Sequence, residues 1–171
     1  RVAPEVRDAM LPFLGELYGN PSSMHAFGGE IAKYVDRARE EVAAFLNCSP
    51  EEVIFTSCGS EASNLAILGG LYSKTRREAA RVLTTDSEHP SVENNLKALE
   101  SEGYEIVKIP TRGGVLDLDA YRKALEGDVF MVTMMLVNNE TGGVTDIAAV
   151  SKVLKAAKSQ ALLHCDAVQG F

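Results

Sequence analysis

Apolar positions recur along the chain with two different spacings. Between residues 29 and 46 they return every three or four positions with charged residues between them, which predicts an amphipathic helix. Residues 129–137 form a nearly unbroken apolar run, typical of a central strand covered on both faces. Shorter apolar runs predict further strands at 53–56, 82–85, 105–109 and 161–165. The segments between them predict helices at 4–18, 61–73, 90–102, 117–125 and 146–158.

This order of elements indicates the fold class. Strands separated by helices of such length need crossover connections, so the sheet is expected to be mostly parallel with helices on both faces. The class is therefore α/β. The 171 residues contain no internal repeat or linker, and we expect one partial domain spanning 1–171.

Composition and charge exclude several classes of function. The chain carries 24 acidic against 17 basic residues, a net charge of −7, which argues against nucleic acid as a partner. No apolar run reaches the roughly 18 residues of a membrane-spanning helix. Three cysteines without metal-ligand spacing predict no metal site and favour a reducing, cytoplasmic compartment over a disulfide framework.

Polar residues follow directly on four of the predicted strands. They occur at 57–61, at 88–90, at 138–142, and at Asp166 with Gln169. Because the carboxyl ends of parallel strands lie at one edge of a sheet, these side chains are expected to form one site there. For any one cluster alone, the alternative is that glycine, asparagine, aspartate and serine are simply common in such turns.

Several roles remain open from the residues alone. The turn at Gly59 and Ser60 can offer N–H groups and a hydroxyl to a phosphate, or Ser60 can be a plain helix N-cap. His89, before Pro90, either caps the next helix or stacks on an aromatic ring and moves a proton. Asp166 is either a helix cap or the partner of a buried cation.

The remaining histidines and cysteines are interpreted mainly as structural. His164 lies within a strand and is expected to be a packing residue. His25, in a Ser- and Gly-rich loop, is either functional or a solvent-exposed spectator. Cys58 is either a nucleophile or a structural thiol, and we favour the structural role because no base is adjacent. Cys48 and Cys165 are interpreted in the same way.

Five sequence motifs occur in a recognisable order. They are GNPSSMH at 19–25, FTSCGSEASN at 55–64, EHPSV at 88–92, NNETG at 138–142 and HCDAVQ at 164–169. Together they closely resemble the NifS/IscS-type cysteine desulfurases of the class V aminotransferase group, along the whole chain. The resemblance implies a fold-type I large domain that uses pyridoxal 5′-phosphate (PLP). It further implies removal of sulfur from L-cysteine to give L-alanine and an enzyme persulfide.

The resemblance also implies a role for each candidate residue. His25 matches a family loop near the active site and dimer contact, with no role in chemistry. His89 would be catalytic in proton transfer and would stack on the cofactor ring. Gly59 and Ser60 would hold the phosphate, Asn139 and Gln169 would bond the ring oxygen, and Asp166 would pair with the pyridine nitrogen.

Two expected features of the family are missing from this sequence. The opening Asp-Asn-Ala-Thr-Thr-like strand would precede the chain, and the Schiff-base lysine, persulfide cysteine and small domain would follow Phe171. We therefore expect the front part of a large domain, with weak PLP binding and no turnover alone. The resemblance implies a cytoplasmic homodimer that passes sulfur to an acceptor such as an iron–sulfur scaffold. The alternatives are a related class V enzyme, such as a selenocysteine lyase or a cysteine-sulfinate-using relative, and a non-catalytic PLP-fold binding module.

Overall fold

The computed structural model describes residues 1–72 and 81–170. The chain divides into two compact units, Arg1–Phe55 and Thr56–Phe171. The expected single partial domain over 1–171 stays a prediction. No helix in the described ranges is both long enough and apolar enough to cross a membrane.

The first unit consists of two α-helices and two short 3-10 turns. Helix α1 spans Pro4–Met10, and a 3-10 turn follows at Leu11–Leu14. The helix predicted over 4–18 is therefore wrong in its second half. Pro12 has no N–H to donate to the carbonyl four residues earlier, so the α-helix cannot continue through it. Helix α2 spans Ala26–Leu46, which confirms the amphipathic helix, and a second 3-10 turn lies at Pro50–Glu52.

Both ends of α2 are fixed by identifiable residues. His25 is the N-cap, and its Nδ1 accepts a hydrogen bond of 3.3 Å from the Gly28 N–H. A Cβ at Gly28 would come within 2.6 Å of the carbonyl oxygens of Asn20 and Ser23, so only glycine allows this close approach. The helix ends at Asn47, which adopts the left-handed conformation with φ of 55°. His25 thus has a structural place at the start of α2.

The strand predicted over 53–56 is not formed. A strand exists only where a neighbour exchanges backbone hydrogen bonds with it. In the described part of the chain no strand pairs with this segment, and Ile54 and Phe55 are exposed. Residues 53–56 have the apolar pattern of a strand, but no strand in the described part of the chain pairs with them.

The second unit is built on a four-stranded sheet in the order β2-β1-β5-β6. Every neighbouring pair in this sheet is parallel. The strands are β1 (Arg81–Thr85), β2 (Glu105–Ile109), β5 (Val129–Met135) and β6 (Leu162–Asp166), and a separate two-stranded hairpin contains β3 (Thr111–Arg112) and β4 (Val115–Leu116). The helices are α3 (Gly59–Tyr72), α4 (Pro90–Ser101), α5 (Leu118–Ala124) and α6 (Ile147–Ala156). This alternation confirms the parallel α/β prediction.

Helices cover both faces of the sheet, as the residues of β1 illustrate. Val82 belongs to the core cluster that contains Ile67 of α3 and Leu96 of α4. The next residue, Leu83, belongs to the second cluster, with Tyr121 of α5. Neighbouring residues of a strand point to opposite faces, so these two clusters are the two sides of the sheet.

The central strand β5 carries an irregularity in its register. Arg81 pairs with Val129, but Val82 pairs with Met131, so Phe130 is one extra residue in β5. All of β5 is buried. The strand ends at Met135, two residues before the predicted end, and Val137 forms only an isolated bridge. Met135, the last residue of β5, pairs with Asp166, the last residue of β6, so both strands end at the same edge of the sheet.

Candidate functional site

All six predicted site residues line one cavity of about 210 Å³ at the carboxyl edge of the sheet. They are Gly59, Ser60, His89, Asn139, Asp166 and Gln169. They come from four separate segments of the chain. Three of these follow β1, β5 and β6, which are parallel neighbours, and the fourth is the start of α3. The expected convergence is observed, while the role of each residue stays a prediction, because turns at this edge of a parallel sheet converge whatever their function.

The start of α3 forms a backbone cradle on one side of the cavity. The first bond of the α-helical pattern here runs from the Ala62 N–H to the Cys58 carbonyl, at 3.1 Å. A Cβ at Gly59 would lie 2.8 Å from the Val168 side chain, so glycine permits this approach. Ser60 is the second residue of the helix, and its interpretation as an N-cap is wrong. The N–H groups of this first turn suit a phosphate.

Cys58 differs from the expectation of a structural thiol. Its side chain is exposed and lines the cavity. The N–H of Glu61, the hydroxyl of Ser57 and the N–H of Ser60 lower the pKa of the thiol, because all three stabilise a negative sulfur. Among the described residues no group of three His, Cys, Asp or Glu could hold a metal ion.

His89 caps the next helix, one of the two roles that the sequence left open, and it also lines the cavity. It is the N-cap of α4, and its Nδ1 accepts a hydrogen bond of 3.1 Å from the Ser91 N–H. Its Nδ1 also lies 2.8 Å from the Ser91 hydroxyl oxygen. Because Nδ1 accepts, we assign the proton of the neutral ring to Nε2. The ring lines the cavity, so Nε2 is the nitrogen left to exchange a proton with a ligand.

Asp166 is a buried carboxylate at the end of β6. Its side chain is 6% exposed, and its Oδ1 accepts a hydrogen bond of 3.1 Å from the Val168 N–H. Within residues 1–72 and 81–170 no ion pair with a cationic side chain is formed by Asp166. Burying an unpaired carboxylate is costly, so a cationic ligand group in the cavity would fit here. His164, two residues earlier, bonds to Thr133 Oγ1 at 2.7 Å and lies in the sheet, which confirms the expected packing role.

The two candidate amides lie on exposed segments at the cavity. Asn139 belongs to the loop after β5, and Gln169 follows β6. An amide nitrogen can donate to a ligand oxygen, as the resemblance implies for both residues. The cavity is also lined by Ser91, Met135 and Val168. Nothing in the sequence pattern indicated that the two apolar residues among them would belong to the site.

Glu88 is the first residue of the motif at 88–92, but no role was predicted for it. The side chain is 8% exposed. Its Oε1 accepts hydrogen bonds from Thr85 Oγ1 at 2.6 Å and from the Met135 N–H at 2.9 Å. Burial raises the pKa of Glu88 to about 6 against the effect of these two bonds, and the charge of Asp166 raises it further.

The raised pKa of Glu88 predicts a pH-dependent difference in stability between the wild type and Glu88→Gln. Between the ordinary glutamate pKa and about 6, the folded state holds this proton more tightly than the unfolded state. The associated stabilisation is complete below the ordinary pKa and is lost as pH rises through about 6. Glutamine does not titrate, so the wild type should lose about 2 kcal/mol relative to Glu88→Gln over this window. Urea unfolding of both proteins at several pH values measures the difference.

Glu93→Gln is the matched control for that measurement. The hydrogen bond from Lys108 lowers the pKa of Glu93, so its stabilisation is present above the ordinary pKa and is lost as pH falls. The wild-type advantage over Glu93→Gln should therefore grow with rising pH, the opposite of Glu88. Parallel pH curves for the wild type and Glu88→Gln would contradict the assignment.

Comparison with known proteins connects this geometry to a family. The aminotransferase class-V family model matches residues 1–171. A cysteine desulfurase of Trichormus azollae is 45% identical over 170 residues, which cover 99% of this chain and 42% of the relative. A solved NifS-like protein is 34% identical with a TM-score of 0.92, over 99% of this chain and 46% of its own.

The chain belongs to the aminotransferase class V family. A structure of SspA in complex with cysteine is a further match at 32% identity, with a TM-score of 0.88 over 99% of this chain and 48% of that one. Such matches confirm the resemblance and a partial fold-type I large domain. The chain spans 42% of the length of the Trichormus relative, so the activity of the whole protein is a proposal.

Proposed function

We propose that this class V protein is a PLP-dependent cysteine desulfurase that converts L-cysteine to L-alanine and an enzyme persulfide. The observation that carries the proposal is one cavity with the backbone cradle of Gly59 at one side and, at another, the buried Asp166 carboxylate, which no cationic side chain of the described residues pairs. PLP carries a phosphate and a basic ring nitrogen, so it fits both features. The 45% identity to a named cysteine desulfurase and the cysteine in the SspA structure support the choice of substrate.

The proposal gives each side chain of the cavity a task. The first-turn N–H groups and Ser60 hold the phosphate, and Asp166 keeps the ring nitrogen protonated. Asn139 and Gln169 donate to the ring oxygen, while His89 stacks on the ring and moves a proton through Nε2. When bound, PLP supplies an electron sink for a substrate carbanion. The resemblance places the Schiff-base lysine and the persulfide cysteine in the remainder of the enzyme.

The proposal extends to partners and location on the strength of the resemblance. It includes a homodimer and an acceptor for the persulfide sulfur, such as an iron–sulfur scaffold. The three cysteines are unpaired, which supports a reducing compartment such as the cytoplasm.

The test uses the full-length gene product purified with PLP. We expect a cofactor absorption band and a phosphopyridoxyl adduct on one lysine after borohydride reduction. Incubation with L-cysteine and a thiol reductant should release equal amounts of alanine and sulfide. Faster release of selenide from selenocysteine, or of sulfite from cysteine sulfinate, would indicate a different class V enzyme. A product that binds no PLP would overturn the proposal.

A further inference from the structure

Two polar side chains outside the predicted set connect the loops that bear site residues. The His89 loop comprises residues 86–89, between β1 and α4, and the Asn139 loop comprises residues 136–146, between β5 and α6. Residues on loops hold a precise geometry only where other contacts fix those loops. Glu88 and Asn138 supply such contacts.

Glu88 connects the His89 loop to the end of β5. Its buried carboxylate bonds the Thr85 hydroxyl at the end of β1 and the Met135 N–H at the end of β5. One oxygen atom, Oε1, accepts both bonds. Glu88 thereby joins the ends of β1 and β5 at the residue that precedes His89 in sequence. Met135 itself lines the cavity.

Asn138 connects the Asn139 loop directly to the His89 loop. Its Nδ2 donates to the Ser87 carbonyl at 2.8 Å, which reaches across to the His89 loop. Its Oδ1 accepts from the N–H groups of Glu140 at 3.0 Å and Thr141 at 2.8 Å, and from the Thr141 hydroxyl at 3.0 Å. One side chain therefore both folds the Asn139 loop and attaches it to its neighbour.

We infer that Glu88 and Asn138 are positioning residues that fix the His89 loop, Glu88 to the end of β5 and Asn138 to the Asn139 loop, so that His89 and Asn139 meet the cofactor together. The inference rests on the proposed PLP function of the cavity. Neither residue needs to touch the cofactor. Each acts because its neighbour in sequence, His89 or Asn139, lines the cavity.

The first test is Asn138→Asp in the full-length enzyme. Aspartate keeps an acceptor oxygen for Glu140 and Thr141 but places a second oxygen against the Ser87 carbonyl, so the bond between the loops is selectively broken. Leaving this half-buried acceptor without its donor should weaken PLP affinity of the apoenzyme about tenfold. The induced circular dichroism of bound PLP should also change, because it reports the orientation of the ring in its site.

The second test compares substitutions at Glu88 and Asp86. Glu88→Ala removes both hydrogen bonds and should weaken PLP binding, whereas Glu88→Gln keeps an acceptor oxygen and should restore most of the affinity. Asp86→Ala is the matched control. Asp86 is exposed, and its carboxylate connects the His89 loop to Thr111 outside the cavity, with bonds of 2.7 Å to the hydroxyl and 3.1 Å to the N–H. It should alter stability but not the PLP spectrum.

The outcomes separate this inference from the proposed function. If the wild type binds PLP and Asn138→Asp binds it with the same affinity and dichroism, the inference is wrong and the proposed function stands. If the wild type binds no PLP, the proposed function fails and the inference with it. Should Glu88→Ala not fold, the Asn138→Asp result decides by itself.

Discussion

Asp166→Asn is expected to lower kcat/KM for sulfide release from L-cysteine by about 150- to 5,000-fold, since breaking a buried ion pair costs about 3–5 kcal/mol. The carboxylate is 6% exposed and has no cationic side-chain partner among the described residues. The proposed function supplies that cation as the protonated ring nitrogen of PLP. Without the negative charge the ring is expected to lose its proton and with it most of its capacity as an electron sink.

The asparagine variant isolates charge from shape. Asparagine keeps an oxygen that can accept the Val168 N–H, so the turn after β6 should survive. Asp146→Asn is the control, because Asp146 accepts from the Ala149 N–H at the start of α6, is exposed and lies outside the cavity lining. Its activity should stay within about twofold of wild type, as for ordinary surface substitutions. Equal activity of Asp166→Asn and wild type would contradict the pairing of Asp166 with a cationic ring.

Much of the parallel sheet could be predicted because each strand is an apolar run that differs from its flanking helices. The run at 129–137 is the clearest case, since β5 is buried along its whole length. The convergence of His89 and Asp166 also followed from chain order alone, because parallel strands bring their carboxyl ends together. The glycine turn lies at the same cavity, although the strand over 53–56 from which its place was predicted is not formed. These inferences needed no knowledge of individual contacts.

The errors have two causes: a partner strand that local sequence does not specify, and local proline and glycine signals that were not used. The 53–56 segment has a strand-like pattern, but a strand depends on a partner, and partner identity is not encoded in four residues. The prediction of a helix over 4–18 did not take account of Pro12, although a proline at that position indicates that an α-helix ends before it. The β3–β4 hairpin was missed despite Gly113 and Gly114, both at positive φ, which is a common hairpin turn sequence.

The missed role of Glu88 has a different cause. Glutamate is usually exposed, so a sequence gives no reason to place one inside a sheet edge. Its burial follows from the neighbouring ends of β1 and β5, which supply the Thr85 hydroxyl and the Met135 N–H. The start of α3 was predicted at 61, two residues late, so Ser60 lies inside the helix and not at the N-cap position that was left open for it beside phosphate binding. The burial of Glu88 depends on tertiary placement rather than on residue type.

His89→Asn is expected to reduce kcat for L-cysteine by about 10²- to 10⁴-fold, the usual contribution of a positioned general acid or base. The Oδ1 of asparagine lies at the place of Nδ1 and can still accept the Ser91 N–H as a helix cap, so α4 should keep its start. It cannot exchange a proton at the place of Nε2. PLP affinity should therefore fall much less than kcat, and a kcat-specific loss distinguishes proton transfer from a purely structural role.

His164→Gln is the control for that experiment, because the two histidines differ in place but not in chemistry. His164 is paired with Thr133 inside the sheet and does not line the cavity, and burial lowers the pKa of its imidazole. Its replacement should lower the midpoint of thermal unfolding while kcat stays near the wild-type value. Equal losses of kcat in both variants would mean that His89 acts through the fold. A loss confined to His89→Asn would place the proton-transferring group at the N-cap of α4, where one helix start both orients the ring and presents Nε2 to the cavity.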